Sequence, residues 1–501
     1  MKKYLNLIVL MCLLVNGGAY AKQGVVITID VREQREVNTL IYTVPLLGTS
    51  YDGFSDTLKA KETGKFELKL ELKQPSFIAI RESESSITRA KLLVEPGCSY
   101  HVSMDSQKKV QITGANEKGQ MLYMTLLDRE NPAMALLKNG MDVFNMSDTL
   151  SLTYVHHKIN DLKQSDISKF KALLDEGAIT KSFFDLVQKE RGCYYASMEA
   201  LFTCLKTYES IERGIQIDDL LQNMKEIITQ YPPNDERLLL SSFWWDYTEL
   251  YVKCDGHTQE SFKSEKTNEM LKNGTYNTYL LNESKKYLSG SVLEYFRARY
   301  IHSTCTSSGK SGSFEKEFIS LIEQFEKDYP QSEYSKYLRP CIDEIIDYHQ
   351  VYEQQFDNDV LFLEGYEAFN TLEDVLKPLR GKKIYIDIWA SWCVPCKEEF
   401  EHKETVKKIL SENDAQMLYI SIDFDNYDQE WKYRIKYHHL AGFHIRTNEV
   451  LYDHLRKRFG SNKSGTLSFG VPRYMLVDEN GNIVNENAKS PSELVAGEKL
   501  F

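Results

Sequence analysis

The spacing of apolar residues along the chain changes twice. Between residues 24 and 115 it is close to two: Val25, Ile27 and Ile29 alternate, although Val26 blurs the pattern. Lys65 to Lys73 alternates cleanly, with Phe66, Leu68, Leu70 and Leu72 on one side and Lys and Glu on the other. That period predicts half-buried strands. Gly97, Asp105 and Gly114 punctuate further short strands, and the segment is expected to form a small antiparallel β-sandwich. Between 116 and 350 the spacing becomes helical. Leu220, Leu221, Met224, Ile227 and Ile228 form one stripe, closed by Tyr231-Pro232-Pro233; Phe318, Leu321, Ile322 and Phe325 form another, closed by Tyr329-Pro330. Two such copies do not make a solenoid. The aromatic cluster Phe243, Trp244, Trp245 and Tyr247 is expected to pack one helix on another rather than bind a ligand. A linking helix is expected over 336–370, with a linker at 351–364, leading into a last domain at 365–501. There strand and helix patterns mix, as in an α/β unit. Ile384 to Trp389 suits a strand buried on both faces. A helix is predicted from Val394 to Leu410, with strands at Met417–Ile422 and Arg473–Val477 and a turn at Asp478–Gly481.

The first residues have a different character. Lys2 and Lys3, the apolar run Leu5 to Val15 and the small residues of Ala19-Tyr20-Ala21 make a secretory leader at residues 1–21, with cleavage after Ala21. The run is shorter than the roughly 20 apolar residues a spanning helix needs. Met11 before Cys12 is too large for a lipobox, and no integral membrane segment is expected after cleavage. The chain is therefore expected in the periplasm or cell envelope. Losing Lys2 and Lys3 with the leader takes the formal charge from −12 to −14, which argues against nucleic acid as a partner. The 42% hydrophobic content suffices for packed cores in the 480 residues left, enough for about three domains.

Eight of the nine cysteines lie beyond the leader. Cys98, Cys193, Cys204, Cys254, Cys305 and Cys341 are scattered, and burial as small apolar residues is the expectation for most of them. In a continuous helix Cys193 and Cys204 would sit about 16 Å apart, too far to bridge. The remaining two, in Ala390-Ser391-Trp392-Cys393-Val394-Pro395-Cys396-Lys397, stand where a strand hands over to a helix. Free N–H groups and the helix dipole favour an anion there, so the Cys393 thiol should ionise more readily than a free one. The thiolate is the attacking species in disulfide exchange. Cys396, one turn on, can close a ring with it. Pro395 has no N–H and suits a first turn. Lys397 adds positive charge, which Glu398 and Glu399 oppose. Zinc would want a second Cys pair, and neither that nor more than His402 is present. A static disulfide is ill placed at an exposed helix start. His156-His157 and His438-His439 lack metal-ligand partners nearby and are read as surface residues.

Asp387-Ile388-Trp389-Ala390-Ser391-Trp392-Cys393-Val394-Pro395-Cys396, followed downstream by Gly470-Val471-Pro472, resembles the thioredoxin superfamily, and within it the exported TlpA-like and ResA-like thiol-disulfide oxidoreductases. The resemblance covers about residues 365–501 and implies a thioredoxin-like fold there. Four features agree: Trp392 before the first Cys, Pro395 before the second, an acid six residues upstream, and the later Val-Pro. It implies that Cys393 attacks and Cys396 resolves. Asp387 would be the buried acid that moves a proton at the second Cys. Pro472 would be a cis-proline facing the disulfide, leaving the Val471 backbone to pair with an extended client segment. About fifty residues between Ile422 and Pro472, and a short tail after Pro491, depart from the minimal pattern. The N-terminal β region also resembles domains that precede such modules in exported Bacteroidetes-type proteins.

The expected architecture is thus an N-terminal antiparallel β-sandwich, a central all-α region and a C-terminal α/β thioredoxin-like domain. The expected activity is reduction of disulfides in client proteins through the Cys393/Cys396 dithiol, with an upstream electron-donor protein and no prosthetic group. Thioredoxin-like pairs range from about −270 to −120 mV, and Val394-Pro395 does not fix where this one falls; the resemblance favours reductase over oxidase because TlpA-like and ResA-like proteins mostly act that way. The alternative is a cell-envelope binding protein in which the thioredoxin-like part is subsidiary. A peroxidase of the peroxiredoxin class would need Pro and Thr where Ile386 and Ala390 stand.

Overall fold

The computed structural model describes residues 23–32, 37–82, 90–105, 107, 109–126, 131–141, 151–254, 258, 267, 269–271, 273–308, 316–463, 466–495 and 497–501. The leader at 1–21 lies outside them. The chain divides into two compact units, one running to Tyr300 and including Phe325–Tyr337, the other made of Ile301–Gln324 and Leu338–Phe501.

The first unit begins with eight strands: β1 (Gln23–Arg32), β2 (Thr39–Thr43), β3 (Ser55–Lys59), β4 (Lys65–Leu72), β5 (Ser76–Arg81), β6 (Ala90–Val94), β7 (Ser99–Asp105) and β8 (Val110–Gly114). They form two four-stranded sheets, ordered β4-β1-β7-β8 and β3-β2-β5-β6. Alternation works as the sequence predicts: Val25, Ile27 and Ile29 of β1 and Phe66, Leu68 and Leu72 of β4 are buried. They share one apolar cluster with Ile78, Ile80, Leu92 and Val94 of the other sheet. The pairing is not wholly antiparallel. β1 runs parallel to β7, with Ile27 opposite Tyr100 and Ile29 opposite Val102, because the chain leaves for the second sheet before returning to β1. Helices follow, among them Leu152–Asp175, Lys181–Glu212 and Asp218–Gln230. Leu220, Met224 and Ile227 form the buried face of the last of these. Phe243, Trp244, Trp245 and Tyr247 are buried, and Trp245 stacks on Phe296 at 4.9 Å, so the aromatic cluster is packing. Cys193, Cys204, Cys254, Cys305 and Cys341 are buried and not disulfide-bonded, and Cys98 is half-buried.

The second unit contains a six-stranded sheet in the order β16-β15-β10-β11-β12-β9. Its strands are β9 (Val360–Phe362), β10 (Lys383–Trp389), β11 (Ala415–Ser421), β12 (Gly442–Arg446), β15 (Arg473–Val477) and β16 (Ile483–Asn485). A separate hairpin joins β13 (Ser461–Lys463) to β14 (Thr466–Ser468). β10, β11, β12 and β9 are parallel, while β15 runs antiparallel to β10. Residues 351–364, expected only as a linker, contribute β9, whose Val360 joins the core with Leu363. Gly442 opens β12 at φ +145, where a Cβ would lie 2.8 Å from the Met417 carbonyl oxygen. The predicted helix from Val394 to Leu410 is interrupted. Val394–Glu399 is α-helical, Phe400–His402 is a tighter 3-10 turn, and Lys403–Glu412 resumes the α-helix. At the break, the Phe400 ring packs on Trp389 at 5.2 Å and on His438 at 5.1 Å. His438 therefore corrects the sequence reading. It is buried, and desolvation with its cationic neighbours pushes its pKa down to about 3, whereas His439 is exposed. Among the described residues no helix is long and apolar enough to cross a membrane.

Candidate active site

β10 sits between β11 and β15, and all its residues after Lys383 are buried. Its continuous apolar run places the next four residues at a sheet end, where the chain must turn. Cys393 N–H donates to the Ala390 carbonyl at 3.0 Å, closing a turn with Ser391 and Trp392 at its centre. Cys393 then caps the helix Val394–Glu399: its φ of −79° and ψ of 106° are extended, and its Sγ accepts the Cys396 N–H at 3.2 Å. Pro395 occupies the first turn, where its missing N–H costs no helical bond. Cys393 and Cys396 form a disulfide with their Cα atoms 5.3 Å apart. It is the one disulfide among the described residues. Cys396 is wholly buried and Cys393 is 4% exposed, so Cys393 holds the accessible edge of the bond. Trp392 beside it is 41% exposed and Pro395 is exposed.

Two residues from distant sequence reach the same sheet end. Ile388 pairs with Arg473, and Val471 and Pro472 immediately precede that pair on the antiparallel strand. The Val471-Pro472 peptide is cis. Register thus carries Val471 and Pro472 toward the end of β10 where the Cys393 turn begins.

Asp387 lies on β10 opposite Tyr419 of β11 and Tyr474 of β15. It is wholly buried, and neither carboxylate oxygen has a hydrogen-bond partner among the described residues. Burial, with Glu399 adding negative charge, holds its pKa well above the usual carboxylate range. A carboxyl whose pKa is raised and whose oxygens lack a fixed partner holds a proton more readily when one is offered, and can return it. Glu399 is itself engaged: Ser492 donates to it from its N–H at 2.8 Å and from its Oγ at 2.9 Å. Lys397 is half-buried, and its charge helps restrain the pKa of the buried Glu430, which burial raises. Sequence reasoning missed Asp423, just beyond β11. Its carboxylate accepts from Ser391 N–H and Ser391 Oγ, both at 2.8 Å, and from Ser421 Oγ at 2.6 Å. An acid one residue past an apolar strand was the available signal, but it points nowhere until the fold is known. Among the described residues no group of three His, Cys, Asp or Glu side chains is arranged to hold a metal ion.

Residues 370–497 match the Redoxin family. The thiol-disulfide oxidoreductase ResA of Bacillus cereus is 26% identical over 112 residues, covering 22% of this chain and 57% of that protein. The thiol:disulfide interchange protein DsbD of Actinobacillus pleuropneumoniae is 28% identical over 127 residues, covering 25% of this chain and 17% of that protein. The chain thus spans well under two thirds of the length of either. A solved thiol:disulfide interchange protein from a Bacteroides species is 20% identical, with a TM-score of 0.20, over 23% of this chain and 70% of the other.

Proposed function

Because the C-terminal part of the chain is a TlpA/ResA-like member of the thioredoxin superfamily carrying a Redoxin domain at 370–497, we propose that this protein is an exported thiol-disulfide oxidoreductase that reduces disulfides of client proteins. The observation that carries the reading is the Cys393–Cys396 disulfide at the start of a helix, on the chain just after a strand that carries a buried carboxyl whose oxygens have no hydrogen-bond partner among the described residues. In the reduced protein the helix N-terminus favours the Cys393 thiolate, and Lys397 adds positive charge. That thiolate attacks one sulfur of a client disulfide, forming a mixed disulfide and expelling the other client sulfur as a thiolate. Cys396 gives up its proton, with Asp387 as acceptor, and attacks the Cys393 sulfur. The Cys393–Cys396 bond forms, the mixed disulfide breaks, and the second client sulfur leaves as a thiolate, to which Asp387 returns the proton. Two electrons have passed to the client. An upstream dithiol protein returns them to the disulfide. Trp392 and Pro395 offer the surface on which the client rests, and the Val471 backbone beside Pro472 pairs with an extended client segment. The leader pattern at residues 1–21 supports export to the periplasm or cell envelope.

Replacing Cys396 with Ser leaves the mixed disulfide on Cys393 unresolved. Incubated with oxidised cell-envelope proteins, the C396S protein should retain covalent partners that dithiothreitol releases, and C393S should retain none. Equal, adduct-free behaviour of the two variants would discard protein clients. Equilibration of the parent with glutathione places its potential and separates reductase from oxidase.

A further inference from the structure

Beyond the two cysteines and Asp387, one side chain holds the loop that presents Cys393. β11 supports β10 up to the pair Trp389–Ser421, and Ile422 N–H adds a last rung to the Trp389 carbonyl at 2.9 Å. Past that rung the Asp423 carboxylate takes over. Its Oδ1 accepts Ser391 Oγ at 2.8 Å; its Oδ2 accepts Ser391 N–H at 2.8 Å and Ser421 Oγ at 2.6 Å. Asp423, Ser391 and Ser421 are all wholly buried, so solvent cannot stand in for the carboxylate. Ser391 is a central residue of the turn that Cys393 N–H closes onto Ala390. The backbone of Asp423 is held in turn: its N–H donates to Ser421 Oγ at 3.1 Å.

We propose that Asp423 is a positioning residue for the redox reaction, acting through Ser391 to hold the Cys393 turn against the sheet so that the Cys393 sulfur meets the helix N-terminus. This rests on the thiol-disulfide reading of the same site and adds a residue to it. Three donors converge on the two oxygens, and both oxygens are used. An amide with its nitrogen at the Oδ2 position sets donor against the Ser391 N–H, and in the other orientation Ser391 Oγ has to turn round and accept, so D423N weakens the hold on the turn and removes its charge. S391A removes the hydroxyl bond alone and leaves the charge of Asp423 in place.

The test follows the attack of the reduced full-length protein on oxidised glutathione across pH, together with its equilibrium with glutathione. D423N should react about tenfold more slowly at every pH, including above the titration of Cys393, because a small misplacement of a reacting group is costly. S391A should lose several-fold and, with no charge changed, should move the pH midpoint of the Cys393 reaction upward as the sulfur drifts from the helix end. A purely structural role would lower thermal stability and leave the midpoint and the glutathione equilibrium where they were. D423N and S391A reacting within twofold of the parent, with unmoved midpoints, would overturn the proposal. Should D423N fail to fold, S391A decides alone. A parent protein that does not react with oxidised glutathione would instead sink the function proposed above.

Discussion

Asp387 is expensive to keep. A buried carboxyl with a raised pKa binds its proton in the folded state over a pH range where the unfolded chain has already lost it. The folded state therefore holds more protons than the unfolded one there, and stability falls as pH rises above the ordinary carboxylate range. D387N removes the ionisation. We expect its denaturant midpoint to exceed the parent's at neutral pH, the advantage fading once the pH drops below the ordinary Asp range; urea titrations at several pH values measure this. The same substitution should slow release of the mixed disulfide by about a hundredfold, the usual worth of a placed acid-base group, seen as a longer-lived Cys393 adduct in rapid-quench experiments. A stability gain without slower release would make Asp387 a relic of the fold. Cys393, Cys396 and Asp387 were legible because their signals are local: spacing, a strand-to-helix junction, an acid inside an apolar run. Asp423 was not, since its partner Ser391 lies in another segment and only the pairing of β10 with β11 brings them together. His438 was misread for the same reason, its burial depending on Phe400.

Phe400 is where the elements of the site are joined. Its ring meets Trp389 of β10 at 5.2 Å, Tyr419 of β11 at 6.2 Å and His438 at 5.1 Å, and its backbone begins the 3-10 turn between the two helical segments. F400A would empty the space between helix and sheet, at a cost of about 3–5 kcal/mol, and guanidinium unfolding of the oxidised protein should show a loss of that size. F400L, which fills most of the volume, should recover the greater part; if it loses as much as alanine, the ring contacts matter beyond their bulk. At this scale the periodicities served well wherever one face is buried, as in β4 and in the helix Asp218–Gln230. They could not reveal that β1 runs parallel to β7, because strand direction depends on the path of the chain between them. Nor could they reveal β9, too short for any period to register.

Across the whole molecule the cysteines sort into two populations by location rather than by number. Cys393 and Cys396 are joined at a helix start, while the other six described cysteines are not disulfide-bonded. Five of those six are buried, where burial pushes the Cys193 thiol up to about 12, and a hydrogen bond with Cys254, together with burial, raises that of Cys204 well above its ordinary value. A thiol held protonated and away from solvent is a poor partner in exchange. Native oxidised protein should therefore react slowly with iodoacetamide. After denaturation without reductant six thiols should be alkylated, and eight once reductant has opened the Cys393–Cys396 bond, as mass spectrometry of the protein lacking its leader would count. Fewer than six in denaturant would mean that the scattered cysteines also pair in the oxidising compartment that the leader pattern implies. In that case the redox chemistry of the chain would extend beyond its C-terminal quarter.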